Sequence, residues 1–324
     1  QSGPVFFRRR DVPEKFKFGK VSVMKKFLTL LMALSMCLSL AACGGSSEET
    51  AETPADSETA GEEGAVSSGV EDGVLTIAME CAYAPYNWSQ SDDSNGAVPI
   101  KDSTEYANGY DVMMAKKICE ANGWELEVVS TAWDSLIPAL QSGTIDVAIA
   151  GQSMTADRMA QVDMAGPYYY ADIVCLTTAG SAYAAAQGIA DLAGGRCTAQ
   201  SGTIWYDTCL PQIPDAQIQT AAETAPAMVM QLQTGAVDFV CTDLPTATAA
   251  AANDSDLIVL NFAGTDGDFQ FASEAERAEN VNIGMSVAKG STELLDAINA
   301  VLDGMTADDF NTLMDQAIAV QPEV

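Results

Sequence analysis

The sequence contains no histidine, and this absence excludes several kinds of site. A Ser/His/Asp triad and a Cys/His dyad both need an imidazole as general base, and imidazole is the commonest transition-metal ligand. Bases are also scarce, since Lys and Arg total 15 against 45 Asp and Glu, for a formal net charge of −30. Binding to nucleic acid or to an anionic lipid surface through a basic face is therefore not expected.

The few bases are concentrated at the amino terminus, where the first 43 residues hold eight of the 15. From Met24 the chain reads MKKFLTLLMALSMCLSLAACGG, with 16 uncharged residues at 27–42. That run is short for a membrane span of about 20 residues and suits the apolar region of an export signal. We predict a signal peptide at 1–42, in which 1–23 is either a start site assigned too early or a long basic leader.

The end of this segment, Leu40-Ala41-Ala42-Cys43, resembles a bacterial lipobox, in which the cysteine becomes the lipidated first residue of the mature protein. More than one acyl chain on one terminus gives durable anchoring. Residues 44–73 carry nine acids and no base among Ser, Thr, Ala and Gly, a composition that stays extended. Residues 43–73 are thus predicted to tether the protein to the outer face of the cytoplasmic membrane.

Six cysteines follow Cys43 and show no CxxC spacing. Most stand in apolar runs, so they are predicted to be buried hydrophobic residues, with no metal site and no cofactor. Cys197 and Cys209 form the pair in which a disulfide bridge is worth testing.

From Val74 onward, short apolar strands alternate with amphipathic helices, a pattern typical of βαβ units and of α/β sheets with helices on both faces. The pattern restarts after GPYYYADIVCLTT, which begins at Gly166. Two βαβ systems predict two lobes, each a largely parallel sheet flanked by helices, with a cleft between them. Open sheets of this kind bind ligands beyond the carboxyl ends of their strands.

Three stretches at such strand ends carry polar side chains. GQSMTADR contains Arg158, which could clamp a carboxylate or form a surface ion pair. AQSGTIW offers the hydroxyl of Thr203, as a ligand contact or a helix cap. VCTDLP places Asp243 before a helix start, where it is either an N-cap or an ammonium partner. Asp134 is a plausible N-cap of the helix DSLIPALQSG.

Taken together, these stretches resemble the family 3 extracellular solute-binding proteins, the amino-acid-binding proteins of ABC importers, from about Val74 to Gln321. The most specific run extends from Gly109 to Tyr169, from GYDVMMAKKICEANGWELEVVS through DVAIAGQSMTADR to MAGPYY. The resemblance implies a two-lobed clamp with the periplasmic-binding-protein fold, closing by hinge motion. It assigns 74–171 and 281–324 to lobe 1, 172–261 to lobe 2, and 262–280 to a loop near the second hinge.

The resemblance also implies which residues bind the ligand. Arg158, with Ser153, Thr203 and the amide of Ile204, is expected to hold an α-carboxylate. The Gly151 carbonyl and the Asp243 carboxylate are expected to hold the α-ammonium. The side-chain pocket is expected to consist of Glu80, Tyr83, Trp133 and Gln200. Within ECAYAPYNW, Tyr83 is predicted to face the cleft, while Tyr86 and Trp88 pack into the core.

A carboxylate at Glu80 between two aromatic faces suits a cation, so arginine or lysine is the expected ligand. A neutral polar amino acid such as glutamine remains open, because Glu80 can also accept from an amide. A second alternative is an enzyme of the cyclohexadienyl dehydratase kind on the same fold. The lack of histidine and the presence of both Arg158 and Asp243 favour instead a binding protein without catalytic residues. The expected partners are a permease and its ATPase, and the chain is expected to be a monomer.

Overall fold

The computed structural model describes residues 70–322. The predicted signal peptide, the lipidation site at Cys43 and residues 44–69 of the predicted tether lie outside this range. Within 70–322, no helix combines the length and apolar character that crossing a membrane requires.

The described residues form 14 strands and eight α-helices. In chain order the strands are β1 (Val74–Met79), β2 (Ala82–Tyr83), β3 (Asn87–Gln90), β4 (Val98–Pro99), β5 (Tyr106–Asn108), β6 (Glu125–Ser130), β7 (Val147–Ser153), β8 (Asp163–Tyr169), β9 (Ile173–Thr178), β10 (Arg196–Thr198), β11 (Gln217–Ile218), β12 (Phe239–Asp243), β13 (Leu257–Leu260) and β14 (Ile283–Val287). The helices are α1 (Tyr110–Asn122), α2 (Leu136–Gln141), α3 (Ala156–Gln161), α4 (Ala225–Gln233), α5 (Leu244–Asn253), α6 (Glu274–Val281), α7 (Thr292–Leu302) and α8 (Ala307–Val320).

Two five-stranded sheets, each with its own hydrophobic core, confirm the predicted two-lobed α/β fold. The sheet of lobe 1 has the order β6-β1-β7-β14-β8, and that of lobe 2 the order β11-β10-β12-β9-β13. In each sheet four strands run in the same direction and one strand, β14 in lobe 1 and β9 in lobe 2, runs antiparallel to both of its neighbours, so both sheets are mixed but largely parallel. The chain crosses from the sheet of lobe 1 to that of lobe 2 between β8 and β9, and it returns between β13 and β14 after Phe262, Phe269 and Val281, which pack in the core of lobe 2.

Burial explains why the central strands are continuous apolar runs. Every residue of β7, β12 and β14 is buried, because helices or the facing lobe cover both faces of these strands. Helix α1 ends as its pattern predicts, with Gly123 in the left-handed conformation at the C-cap. The carboxyl ends of β7 and β12 therefore bring Ser153 and Asp243 to the space between the lobes.

Three local expectations differ from the structure. The polar composition of 89–108 predicts a loop, whereas this stretch contains strands of a small antiparallel sheet with the order β2-β3-β5-β4. The expected loop 262–280 includes most of α6. Asp134 is not an N-cap, because a 3₁₀ turn at Trp133–Ser135 precedes α2 and no side chain caps either element.

The six cysteines of the described part are all free and buried, as predicted. Cys197 and Cys209 form no disulfide. Both belong to the hydrophobic core of lobe 2, where they pack as small apolar side chains.

Candidate functional site

A narrow cavity of about 10 Å³ lies between the lobes at the carboxyl ends of the central strands. A cavity of this size has room for about one water molecule, so the lobes must separate to admit an amino acid. We call this space the inner cavity. It is lined by Tyr83, Trp133, Gly151, Ser153, Arg158, Gln200, Thr203 and Trp205. Seven of these are residues that the sequence assigned to the ligand site, and Trp205 is an addition.

Arg158 is the basic side chain of this cavity. Its Nη1 donates to the Ser153 carbonyl, its Nη2 donates to the Gly202 carbonyl at 3.3 Å, and its guanidinium carbon lies 5.6 Å from the centroid of the Trp133 ring. Among the ion pairs of the described part none involves Arg158, so the surface ion pair considered from the sequence is wrong. Burial lowers the pKa of the guanidinium to about 10, which still leaves it cationic at neutral pH.

Lobe 2 contributes the turn 200–203 to the cavity. The Thr203 hydroxyl donates to the Gln200 carbonyl at 2.7 Å and caps no helix. Gly202 has a φ of +64°, which favours glycine, and a Cβ added there would lie 3.3 Å from Trp133 Nε1. This turn is therefore a point of close approach between the lobes.

Asp243 is fully buried at the end of β12 and caps α5. Its Oδ1 accepts from the Thr246 amide at 2.9 Å, and its Oδ2 accepts from the Thr246 hydroxyl at 3.1 Å and from the hydroxyl of Tyr83. Burial raises the pKa of this carboxyl, while the Tyr83 hydrogen bond opposes the rise. The N-cap role is thus present, and Tyr83 joins the carboxylate to lobe 1.

Glu80 lies beside the inner cavity and is half-buried. Its Oε2 accepts from Gln200 Nε2 at 3.3 Å, which is a third hydrogen bond between the lobes at the cleft. Desolvation raises the Glu80 pKa to about 7, with the Gln200 hydrogen bond lowering it and the charge of Asp134 raising it further. Near neutral pH this side chain can therefore exchange its proton.

The three aromatic residues that follow β1 lie where the sequence predicts, one at the cavity and two in the core. Tyr83 lines the inner cavity, whereas Tyr86 is 0% and Trp88 4% exposed in the core. Tyr86 stacks on Tyr83 with ring centroids 5.0 Å apart and so supports the cavity wall from behind.

A buried network beneath Gly151 was not predicted. The Gly151 amide donates to the Tyr168 hydroxyl at 3.1 Å, and that hydroxyl donates to Asp111 at 2.6 Å. Asn87 donates to the other Asp111 oxygen at 2.8 Å. These contacts fix the peptide of Gly151, whose φ is +63°. Asp111 stands 57 residues from Tyr168 in sequence, which is why no local pattern indicated the pair.

A wider groove of about 430 Å³ opens on the Arg158 side of the cavity, and we call it the outer groove. It shares Trp133, Arg158 and Thr203 with the inner cavity. The predicted contact residue Ile204 lines this groove and not the inner cavity. The remaining lining residues are Asp134, Ile137, Pro138, Gln141, Gln152, Thr155, Asp157, Gln161, Gly202, Asp207 and Thr208.

No group of His, Cys, Asp or Glu side chains in the described range could hold a metal ion. The inner cavity is thus lined by hydrogen-bonding groups, one guanidinium and aromatic rings, with the buried carboxyl of Asp243 and the half-buried carboxyl of Glu80 in contact with its walls. Two lobes that meet over such a cleft, joined by two crossing segments, define a hinged binding protein for a small polar solute.

The chain belongs to the bacterial extracellular solute-binding proteins, family 3, whose model matches residues 75–318. It is 29% identical over 275 residues to a probable histidine-binding protein of Campylobacter jejuni, covering 82% of this chain and 94% of that one. It is 26% identical over 286 residues to the arginine-binding extracellular protein ArtP of Bacillus subtilis, covering 87% and 93%.

Among solved structures, an amino acid ABC transporter substrate-binding protein from Streptococcus pneumoniae bound to L-arginine is similar, with a TM-score of 0.66 and 25% identity. The match covers 80% of this chain and 99% of that one. Family and relatives together consist of substrate-binding proteins, and the family acts in the periplasmic or extracellular space.

Proposed function

We propose that this protein captures a free amino acid with a cationic side chain, arginine or lysine, between its lobes and delivers it to the permease of an ABC importer. The observation that carries the proposal is that Arg158 lines the inner cavity together with Tyr83, whose hydroxyl donates to the Asp243 carboxylate of lobe 2 behind the cavity wall.

An α-amino acid presents a carboxylate and an ammonium on the same carbon, and the cleft offers a partner for each. The two Nη atoms of Arg158 now donate to backbone carbonyls, which a ligand carboxylate can replace with stronger charge-assisted hydrogen bonds. On the other side, a ligand ammonium can take the place of the Tyr83 hydroxyl at Asp243. Ser153, Thr203 and the Ile204 amide are proposed to complete the carboxylate site, and the Gly151 carbonyl the ammonium site.

The preference for a cationic side chain rests on Glu80 and on the rings of Tyr83 and Trp133. An ionised Glu80 would pair with a guanidinium or ammonium, and each good aromatic face adds about 0.5–2 kcal/mol. The relatives named for histidine and arginine are consistent with such a ligand. Glutamine remains the alternative ligand, because protonated Glu80 and Gln200 can exchange hydrogen bonds with an amide.

A catalytic role on the same fold is disfavoured by the residues present. The sequence contains no histidine, and the two acids next to the inner cavity are engaged: Asp243 caps a helix and Glu80 accepts from Gln200. We therefore propose a binding protein and no enzyme. Cys43 is proposed to carry the lipid that anchors the protein to the membrane. The protein is proposed to be a monomer, and the acidic tether to let it reach the permease and ATPase.

A thermal-shift screen of the purified chain against the 20 amino acids tests this function. A ligand at 100 times its dissociation constant should stabilise the protein by about 2.7 kcal/mol. Arginine or lysine should give the largest shift, and Arg158→Ala should abolish it. Arg196→Ala is the matched control, because Arg196 pairs with Asp238 away from the cleft. If no amino acid shifts the transition, the proposed function is wrong.

A further inference from the structure

Asp134 is an acid at the cleft for which the fold has no evident use. Its helix-capping role is excluded by the 3₁₀ turn, and among the described residues no hydrogen bond or ion pair engages its carboxylate. The side chain is exposed, and it follows Trp133 directly in the chain. A charge held in this way is available to a ligand.

The geometry places Asp134 beside the same short turn of lobe 2 that Glu80 contacts. Asp134 Oδ1 would lie 4.0 Å from a Cβ added to Gly202, and Glu80 Oε2 lies 3.3 Å from Gln200 Nε2. Two carboxyl groups of lobe 1 thus face residues 200–202, that of Glu80 from beside the inner cavity and that of Asp134 from the outer groove. Arg158 reaches the Gly202 carbonyl but forms no ion pair with either acid.

We infer that Asp134 is a second specificity-determining residue, whose charge adds to that of Glu80 and selects cationic over neutral amino acids. The inference rests on the proposed function and extends it to a residue outside the inner cavity. Two like charges that face one turn repel each other, and a ligand cation placed between them relieves the repulsion. A neutral amide cannot do so.

The other acids of the outer groove provide matched controls. Asp157 lies on α3 next to Arg158, and Asp207 lies on the turn at Trp205–Cys209 of lobe 2. Both are exposed and line the same groove, yet Asp134 is the carboxylate whose charge acts on the Glu80 pKa. Long-range attraction by groove acids in general would make all three equivalent, whereas a specific role makes Asp134 distinct.

Isothermal titration of the full chain with L-arginine and with L-glutamine tests the inference in the wild type, Asp134→Asn and Asp157→Asn. We expect Asp134→Asn to weaken arginine binding by about threefold to tenfold, because it removes one partly screened charge from the cleft. Its affinity for glutamine should stay within about twofold of the wild-type value. Asp157→Asn should change neither by more than about twofold, and Asp134→Glu should restore arginine binding. Since Asn matches Asp in shape and no hydrogen bond is lost, the variant should fold normally.

A second measurement separates an electrostatic role from a structural one. Removing the charge at Asp134 should lower the Glu80 pKa, so the pH midpoint of arginine affinity should fall in Asp134→Asn and stay unchanged in Asp157→Asn. Equal weakening of both ligands, or no change in either, would overturn the inference while the proposed function stands. A wild type that binds neither amino acid would contradict the proposed function itself, and with it the role of Asp134.

Discussion

Glu80 combines a half-buried position with a pKa of about 7, so its charge should depend on pH where the protein works. A raised pKa means that the carboxyl is mostly ionised at pH 8 and mostly protonated at pH 6. Because only the ionised form pairs with a cation, we expect arginine affinity to fall by about tenfold from pH 8 to pH 6. Titration calorimetry at both pH values measures this change.

The control for Glu80 is Glu80→Gln, which is neutral at every pH. In that variant arginine should bind more weakly, with no difference between pH 6 and pH 8, while glutamine binding should be retained. A pH dependence that survives in Glu80→Gln would assign the titration to another group.

Asp111 is the second carboxyl with a pKa of about 7, raised by complete burial and lowered by its hydrogen bonds from Tyr168 and Asn87. Because the folded-state pKa lies above the unfolded value near 3.8, its contribution to stability is present at low pH and is lost as pH rises toward 7. The loss is on the order of a few kcal/mol. Urea unfolding at pH 5 and pH 8 should therefore show higher stability at pH 5.

Asp111→Asn should reduce that difference, because the new side chain carries no charge to desolvate. The buried Asn87 Oδ1 has no hydrogen-bond partner, so a flip of the Asn87 amide can accept from the new amide group. Identical pH dependence in wild type and variant would show that Asp111 does not control it.

At the scale of elements, the bend of β7 at Gly151 shapes the cavity. Gly151 has a φ of +63°, and a Cβ added there would lie 2.7 Å from Tyr83 Cε1 and 3.2 Å from Tyr86 Cγ. Gly151→Ala should destabilise the protein by about 1–2 kcal/mol from backbone strain and about 1–3 kcal/mol from overpacking. It should also weaken amino-acid binding, since Tyr83 must move.

Gly143→Ala separates the cost of backbone strain from the cost of overpacking. Gly143 has a φ of +70° but no atom within 4 Å of an added Cβ, so this variant should show the strain alone and retain binding. Chemical denaturation and ligand titration of both variants measure the difference. Equal destabilisation with intact binding in both would exclude a packing role for Gly151.

How far sequence predicts these elements depends on how local their signals are. Helix α1 and the strands β1, β7 and β12 follow from periodicity and apolar runs. Strands β2 to β5 are two to four residues long, too short to show alternation. Trp205 was not predicted, because its position in the cavity wall depends on the turn that precedes it. The Asp111 network was not predicted, because its members are distant from one another in the chain.

At the scale of the whole molecule, besides the bond from Gln321 Nε2 to the Ala249 carbonyl at 3.4 Å, three hydrogen bonds of the described residues link the lobes, all of them at the cleft. They join Tyr83 to Asp243, Gln200 to Glu80 and Arg158 to the Gly202 carbonyl. Since a ligand enters only when the lobes separate, each opening breaks all three. The strength of these bonds therefore sets how often the protein is open to its ligand.

Tyr83→Phe removes one of these bonds and keeps the ring that lines the cavity. A hydrogen bond to a charged group contributes about 1.5–3 kcal/mol, so the open population should rise by about tenfold or more. Small-angle X-ray scattering of Tyr83→Phe without added amino acid should give a larger radius of gyration than that of the wild type. Saturating arginine should remove the difference, because its ammonium replaces the hydroxyl at Asp243.

Tyr206→Phe is the matched control, since the Tyr206 hydroxyl donates to the Gln219 carbonyl within lobe 2. If both variants scatter like the wild type, the Tyr83 contact does not hold the lobes together, and closure must depend on the ligand and on the contacts of Arg158 and Glu80.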